Sequence, residues 1–81
     1  MLCTIKIKVT PKAGVLDPQG KVVMSSLETL GFSGIDDVRL GRYIEIKMEA
    51  SSKEDAARQA DTMCQKLLAN LVIEQYQIEV A

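Results

Sequence analysis

The sequence predicts an α+β fold, a ferredoxin-like β-α-β-β-α-β sandwich with two helices on one face of an antiparallel sheet. Three observations carry this reading. Within the strand read from Leu2 to Thr10, residues 3–10 alternate apolar and polar without a break. Two later stretches, opened by Asp17-Pro18 and by Ser51-Ser52, carry apolar residues at helical spacing. Runs rich in Val, Ile and Tyr follow each of them.

The first strand places Cys3, Ile5, Ile7 and Val9 on one face and Thr4, Lys6, Lys8 and Thr10 on the other. Alternation of period two fits a strand with one buried and one polar face. Pro11 and Gly14 end it. Asp17-Pro18 then opens the first helix, with the carboxylate as N-cap and the proline at the first helical position, where its missing N–H costs nothing. Val23, Leu27 and Leu30 follow as one stripe, and Gly31 stands where a C′ glycine stops a helix.

Val38 to Leu40 and Tyr43 to Glu49 read as two strands joined at Gly41-Arg42 by a type II′ turn. That turn sets Leu40 opposite Tyr43, so Val38 and Leu40 share a face with Glu45 rather than with Ile44, Ile46 and Met48. Either a bulge shifts the register or both faces of the hairpin are partly covered. Ser51 with Glu54 and Ser52 with Asp55 offer overlapping capping boxes for the second helix. Ala56, Ala60, Met63 and Leu67 form one row of that helix and Ala57, Cys64 and Leu68 an adjacent one. Asn70 fits a left-handed helix stop, and Val72 to Val80 closes the chain as a strand. The open sheet face carries Thr4, Lys6, Lys8, Tyr43, Glu45 and Lys47.

The 81 residues read as a single domain, 1–81, in which a thin core leaves room for partners to add stability. Ten basic and eleven acidic residues are spread evenly, for a net charge of −1. A nucleic-acid surface would show a basic excess. No apolar run approaches the ~20 residues that span a bilayer, and lysine interrupts the opening Met1 to Lys6 before a signal-peptide core forms. The expectation is a soluble, cytoplasmic protein with neither nucleic acid nor membrane as partner.

Catalytic equipment is hard to assemble. The chain has no histidine, the commonest general base and metal ligand. Neither a Walker-type phosphate loop nor a GxGxxG fingerprint occurs. Lys12-Ala13-Gly14 reads as a solvated turn, Asp36-Asp37 as loop chemistry, and Met24, Met48 and Met63 as core filling. Cys3 and Cys64 are far apart in sequence, lie on apolar faces, and read as buried structural thiols. An RNA-recognition module of this element order needs aromatics on its central strands, and only Tyr43 is offered. No catalytic, cofactor-binding or metal-binding residue is assigned.

Three segments go further: Val15 to Lys21 (Val-Leu-Asp-Pro-Gln-Gly-Lys), Val38 to Glu45 (Val-Arg-Leu-Gly-Arg-Tyr-Ile-Glu), and Met63 to Asn70 with Val72, Ile73, Glu74 and Tyr76 behind it. In this order and spacing the chain resembles the PurS family, the small subunit of phosphoribosylformylglycinamidine synthase, over nearly its whole length. Leu71, where the family often has proline, and Gln75, commonly acidic there, are departures that leave the strand and helix pattern intact. The resemblance implies a non-catalytic subunit in purine biosynthesis. A glutaminase subunit would release ammonia. A synthetase subunit would use it, with ATP and Mg²⁺ bound there and no cofactor in this chain.

The implied partners are those two subunits and the chain itself, as dimer or tetramer. Arg39, Leu40, Arg42, Tyr43, Glu45 and Lys47 are the expected self-association residues. Lys12, Gly14, Asp17, Pro18, Gln19, Leu68 and Asn70 are the expected contacts to the larger subunits. The alternative reading is a stand-alone small-molecule-sensing module of the same architecture, kept open by Gly14 after the first strand.

Overall fold

The computed structural model describes all of residues 1–81. Strand β1 runs Leu2–Pro11, helix α1 Pro18–Thr29, strand β2 Arg42–Glu49, helix α2 Lys53–Met63 and strand β3 Glu74–Val80. A single π-helical turn, Cys64–Leu68, prolongs α2. The sheet is antiparallel with order β2-β1-β3, so the first strand is central and pairs with both others.

The alternation in β1 does what its pattern dictates. Cys3, Ile5, Ile7 and Val9 are buried. Their cross-strand neighbours are Met48, Ile46 and Ile44 on β2 and Val80, Ile78 and Tyr76 on β3. The two middle rungs of this face, through Ile5 and Ile7, are therefore three apolar side chains wide, while Val9 lies between Arg42 and Tyr76. Helix α2 covers it with small residues, Ala56 and Ala60, and with Cys64, all fully buried. Small side chains let the helix lie close to the strands, so the core is supplied by the sheet. On the opposite face Lys6 sits between Glu45 and Glu79, and Lys8 between Tyr43 and Gln77. Opposite charges on neighbouring strands favour that arrangement.

Both helix starts and the stop of α1 lie where the sequence signals put them. Asp17 caps α1, its carboxylate accepting the Gly20 N–H at 3.0 Å. Gly31, at φ +99, ends it: Gly31 N–H donates to the Glu28 carbonyl and Phe32 N–H to the Leu27 carbonyl, a Schellman pair. Of the two capping boxes, the Ser52 hydroxyl and the Asp55 N–H meet at 3.0 Å.

Two local expectations are corrected. Val38 to Leu40 forms no strand, and the sheet has three strands rather than four. A type II′ turn needs positive φ at its glycine, and Gly41 does not adopt it. A Cβ on Gly41 would lie 2.3 Å from the Val9 carbonyl oxygen, so glycine is there for close approach and the register difficulty disappears. Asn70 is likewise not left-handed. Its side chain accepts the Val72 N–H at 3.2 Å and its carbonyl accepts the Ile73 and Glu74 N–H groups, a turn that delays β3 until Glu74.

Helix α1 is the unusual part. It projects beyond the sheet, and its one buried residue is Gly20. The radius of gyration is 16.1 Å and the molecule measures 50 × 24 × 15 Å. A compact chain of this length would have a radius of about 12 Å.

Candidate partner-binding surfaces

The residues expected to work cluster where α1 leaves the sheet. Asp17 is a two-ended clamp: one carboxylate oxygen caps Gly20, and the other accepts the Leu40 N–H at 2.8 Å. These two N–H donors hold the carboxyl below its ordinary value of 3.8. Gly20 completes the joint, since a Cβ there would lie 2.1 Å from the Val38 carbonyl oxygen. Arg39 reaches back to the Lys12 carbonyl at 2.6 Å. The joint therefore stitches the β1–α1 loop to the segment entering β2.

A second stitch lies beside it. The Arg42 guanidinium forks onto the Glu74 carboxylate at 2.9 and 3.0 Å and also donates to the Leu68 carbonyl at 2.7 Å. Glu74 accepts the Asn70 N–H at 2.8 Å as well. Arg42, then the Asn70 N–H, hold its carboxyl below the ordinary 4.5. Lys12 N–H donates to the Ile73 carbonyl, joining the two stitches.

The structure thus brings the two expected groups together. Lys12, Asp17, Leu68 and Asn70 of one, and Arg39, Leu40 and Arg42 of the other, form a single connected joint. Gly14 (φ +82) turns the loop, while Pro18 and Gln19 are exposed at the helix start. Tyr43, Glu45 and Lys47 stand apart on the outer face of β2 and are exposed. Sequence reasoning missed the parts that Gly20 and Glu74 play in this joint, and it read Gly41 as a turn glycine. A glycine in the third position of a capped helix, where alanine would be the better former, was the available signal for the first.

Two open clefts flank the joint. One, of about 430 Å³, has Lys21, Asp36, Asp37 and Arg39 on its rim. The other, of about 250 Å³, is lined by Val15, Leu16, Leu40 and Ile73. Leu16, which lines both, is about two-thirds exposed, and Leu67 and Val72, neighbours in sequence of Leu68 and Ile73, are more exposed still. Chemistry is sparse by comparison. No three His, Cys, Asp or Glu side chains gather as a metal site. Cys64 is buried, and desolvation pushes its thiol pKa up, away from nucleophile behaviour. The Tyr76 hydroxyl donates to Asp61 at 2.5 Å, which raises its pKa and ties β3 to α2.

An antiparallel α+β plate with apolar side chains around a rigid joint defines a protein that works through its surfaces. Comparison with known proteins identifies which. Residues 4–81 match the family model PurS, described as phosphoribosylformylglycinamidine (FGAM) synthase, and the chain belongs to that family. It is 49% identical over 75 residues to the PurS subunit of that synthase from Synechocystis, covering 93% of this chain and 75% of the relative. The Bacillus subtilis PurS subunit is 43% identical over 76 residues, 94% of this chain and 89% of the relative. Among solved structures, B. subtilis PurS superposes with a TM-score of 0.88 at 42% identity, covering 98% of both chains. A chain of Thermotoga maritima PurLQS superposes with a TM-score of 0.90 at 30% identity, covering 100% of this chain and 99% of that one.

Proposed function

We propose that this chain, acting as one unit over residues 1–81, is the non-catalytic small subunit of phosphoribosylformylglycinamidine synthase in purine biosynthesis. It joins a glutaminase subunit to an ATP-dependent synthetase subunit, so that ammonia from glutamine reaches formylglycinamide ribonucleotide. The likeness over the full chain to a component of T. maritima PurLQS is the observation that carries this reading. ATP and Mg²⁺ belong at the synthetase in this reading, and the complex is cytoplasmic.

The physical logic is containment. Ammonia released into water is protonated and lost as a nucleophile, so its source and consumer must be held together, and area without chemistry suffices for that. The exposed apolar rim of Leu16, Leu67 and Val72 supplies such area beside Lys12, Gly14, Asp17, Pro18, Gln19, Leu68 and Asn70, the segments proposed to meet the larger subunits. Self-association is assigned to the region from Arg39 to Lys47. It includes β2, an edge strand with one unpaired side. Arg39, Leu40 and Arg42 act there by holding the joint, and Tyr43, Glu45 and Lys47 by their exposure.

The test is product formation by the purified synthetase and glutaminase, with and without this chain. The expected result is glutamine-dependent turnover only with the chain, while free ammonia supports turnover in both cases. Equal glutamine-dependent rates without the chain would end the coupling role.

A further inference from the structure

Helix α1 buries little of itself. Its one buried residue is Gly20, and Val22, Leu30 and Phe32 are largely exposed. Its heading is nevertheless fixed, and the fixing is concentrated at its root. An N-cap needs only one side-chain oxygen. Asp17 gives one to the Gly20 N–H at 3.0 Å and the other to the Leu40 N–H at 2.8 Å, 23 residues along the chain. Gly20 holds the third helical position, where alanine forms helix better. A Cβ there would lie 2.1 Å from the Val38 carbonyl oxygen, so the helix backbone leans directly on the strap that leads to β2. Arg39 closes the same joint on the Lys12 carbonyl at 2.6 Å. Residues 32–41, which return from the helix end to this point, form neither helix nor strand.

A helix that packs so little in its own chain gains little from a fixed heading. The heading matters to what lies beyond the chain. Twelve residues rise about 18 Å, so a turn of about 10° at the root moves the far end by about 3 Å. Misplacing a reactant by about 1 Å can cost about 100-fold in rate. The elbow is therefore stiff on the scale that transfer between two sites requires.

We propose that Asp17 and Gly20 are positioning residues for ammonia transfer: by locking α1 at one angle to the sheet, they set the spacing of the two subunits that the chain joins. The inference rests on the coupling role given above. Both oxygens of the Asp17 carboxylate are engaged inside the chain, so the carboxylate acts through the helix it aims.

Two variants loosen the elbow in different ways. Asp17→Ser keeps the cap, because a hydroxyl accepts the Gly20 N–H, but leaves the Leu40 N–H without its acceptor. Gly20→Ala forces the helix off the Val38 backbone. The angle is read first in the chain alone, by spin labels at Glu28→Cys on α1 and Gln77→Cys on β3. Both positions are exposed, and the native Cys3 and Cys64 are buried and stay unlabelled. Labelled chain is diluted into unlabelled chain, so that only distances within one copy are measured. The parent should give one narrow distance, Asp17→Ser a broadened distribution and Gly20→Ala a shifted one. The same narrow distance in all three would overturn the proposal.

The second measurement is product formed per glutamine hydrolysed by the chain, synthetase and glutaminase together. That ratio should fall several-fold with either variant, while the three proteins still elute as one complex. If Gly20→Ala does not fold, Asp17→Ser decides. An altered elbow with an unchanged ratio would overturn this inference and leave the coupling role standing. Dissociation of the complex by Asp17→Ser would also overturn it, since the residue would then act by contact. A glutamine reaction that does not depend on the unmodified chain would remove the coupling role, and this inference with it.

Discussion

The two halves of this molecule use the same residue types to opposite ends. In the sheet–α2 half, Ile5, Ile7 and Val9 are completely buried beneath Ala56, Ala60 and Cys64. In the α1 half, Val22, Leu30 and Phe32 stand largely in water while the backbone around them is well capped and tied down. One half is held by the hydrophobic effect, the other by hydrogen bonds at its root. The lesson is that apolar periodicity announces that a helix will be covered and is silent on what covers it.

Several substitutions would break or sharpen this contrast. The largest effect belongs to the core. Ile7→Ala removes a fully buried side chain at the centre of the three-strand rung and should cost about 2–5 kcal/mol in denaturant unfolding. A loss comparable to that of an exposed site would move the core elsewhere. Gly20→Ala is next. In an ordinary helix interior it stabilises by about 1 kcal/mol. Here the new Cβ meets the Val38 carbonyl oxygen, so a loss of about 1–3 kcal/mol is expected. Stabilisation in the same unfolding experiment would mean that α1 is free of its joint.

Acid should act on the joint and on the first turn of α2, where the Ser51 N–H likewise holds the Asp55 carboxyl below its ordinary value. Asp17 and Glu74 both have pKa values depressed in the folded state, from 3.8 and 4.5. Their contribution is therefore complete above those values and is lost as pH falls through the lower, folded ones. The midpoint of thermal unfolding should be flat from neutrality to about pH 5 and fall below about pH 4. Asp17→Asn should lower the neutral-pH midpoint and flatten that fall. An unchanged acid profile would remove Asp17 as the clamp. The smallest effect is the Arg42–Glu74 pair, since half of the arginine side chain faces solvent. A double-mutant cycle should return about 1 kcal/mol or less, shrinking in high salt.

Much of the fold was legible because its signals are local. Strict alternation in β1, Asp17-Pro18, Gly31 and Ser52 each act on their own backbone, and each sits where its chemistry placed it. The errors arose where one residue type serves two purposes. Gly41 looks like a turn glycine and is a close-approach glycine against Val9. Asn70 looks like a helix stop and instead organises the turn before β3 through its side chain and carbonyl. The working region was legible as segments but not as an assembly. Nothing in the spacing of Arg39, Arg42 and Asn70 reveals that Lys12, Leu68 and Glu74 will be their partners.

The central place of β1 carries a consequence for synthesis. Its apolar face is synthesised before either of its partners, since β2 begins only at Arg42 and β3 only at Glu74. Until the last of these has been translated, Cys3, Ile5, Ile7 and Val9 lack a completed sheet to lie in. Loop closure over that distance precedes any reward from the contacts. Closure of the sheet is thus governed by contacts distant in sequence, which places the folding rate under the control of chain topology rather than of local helix and turn signals.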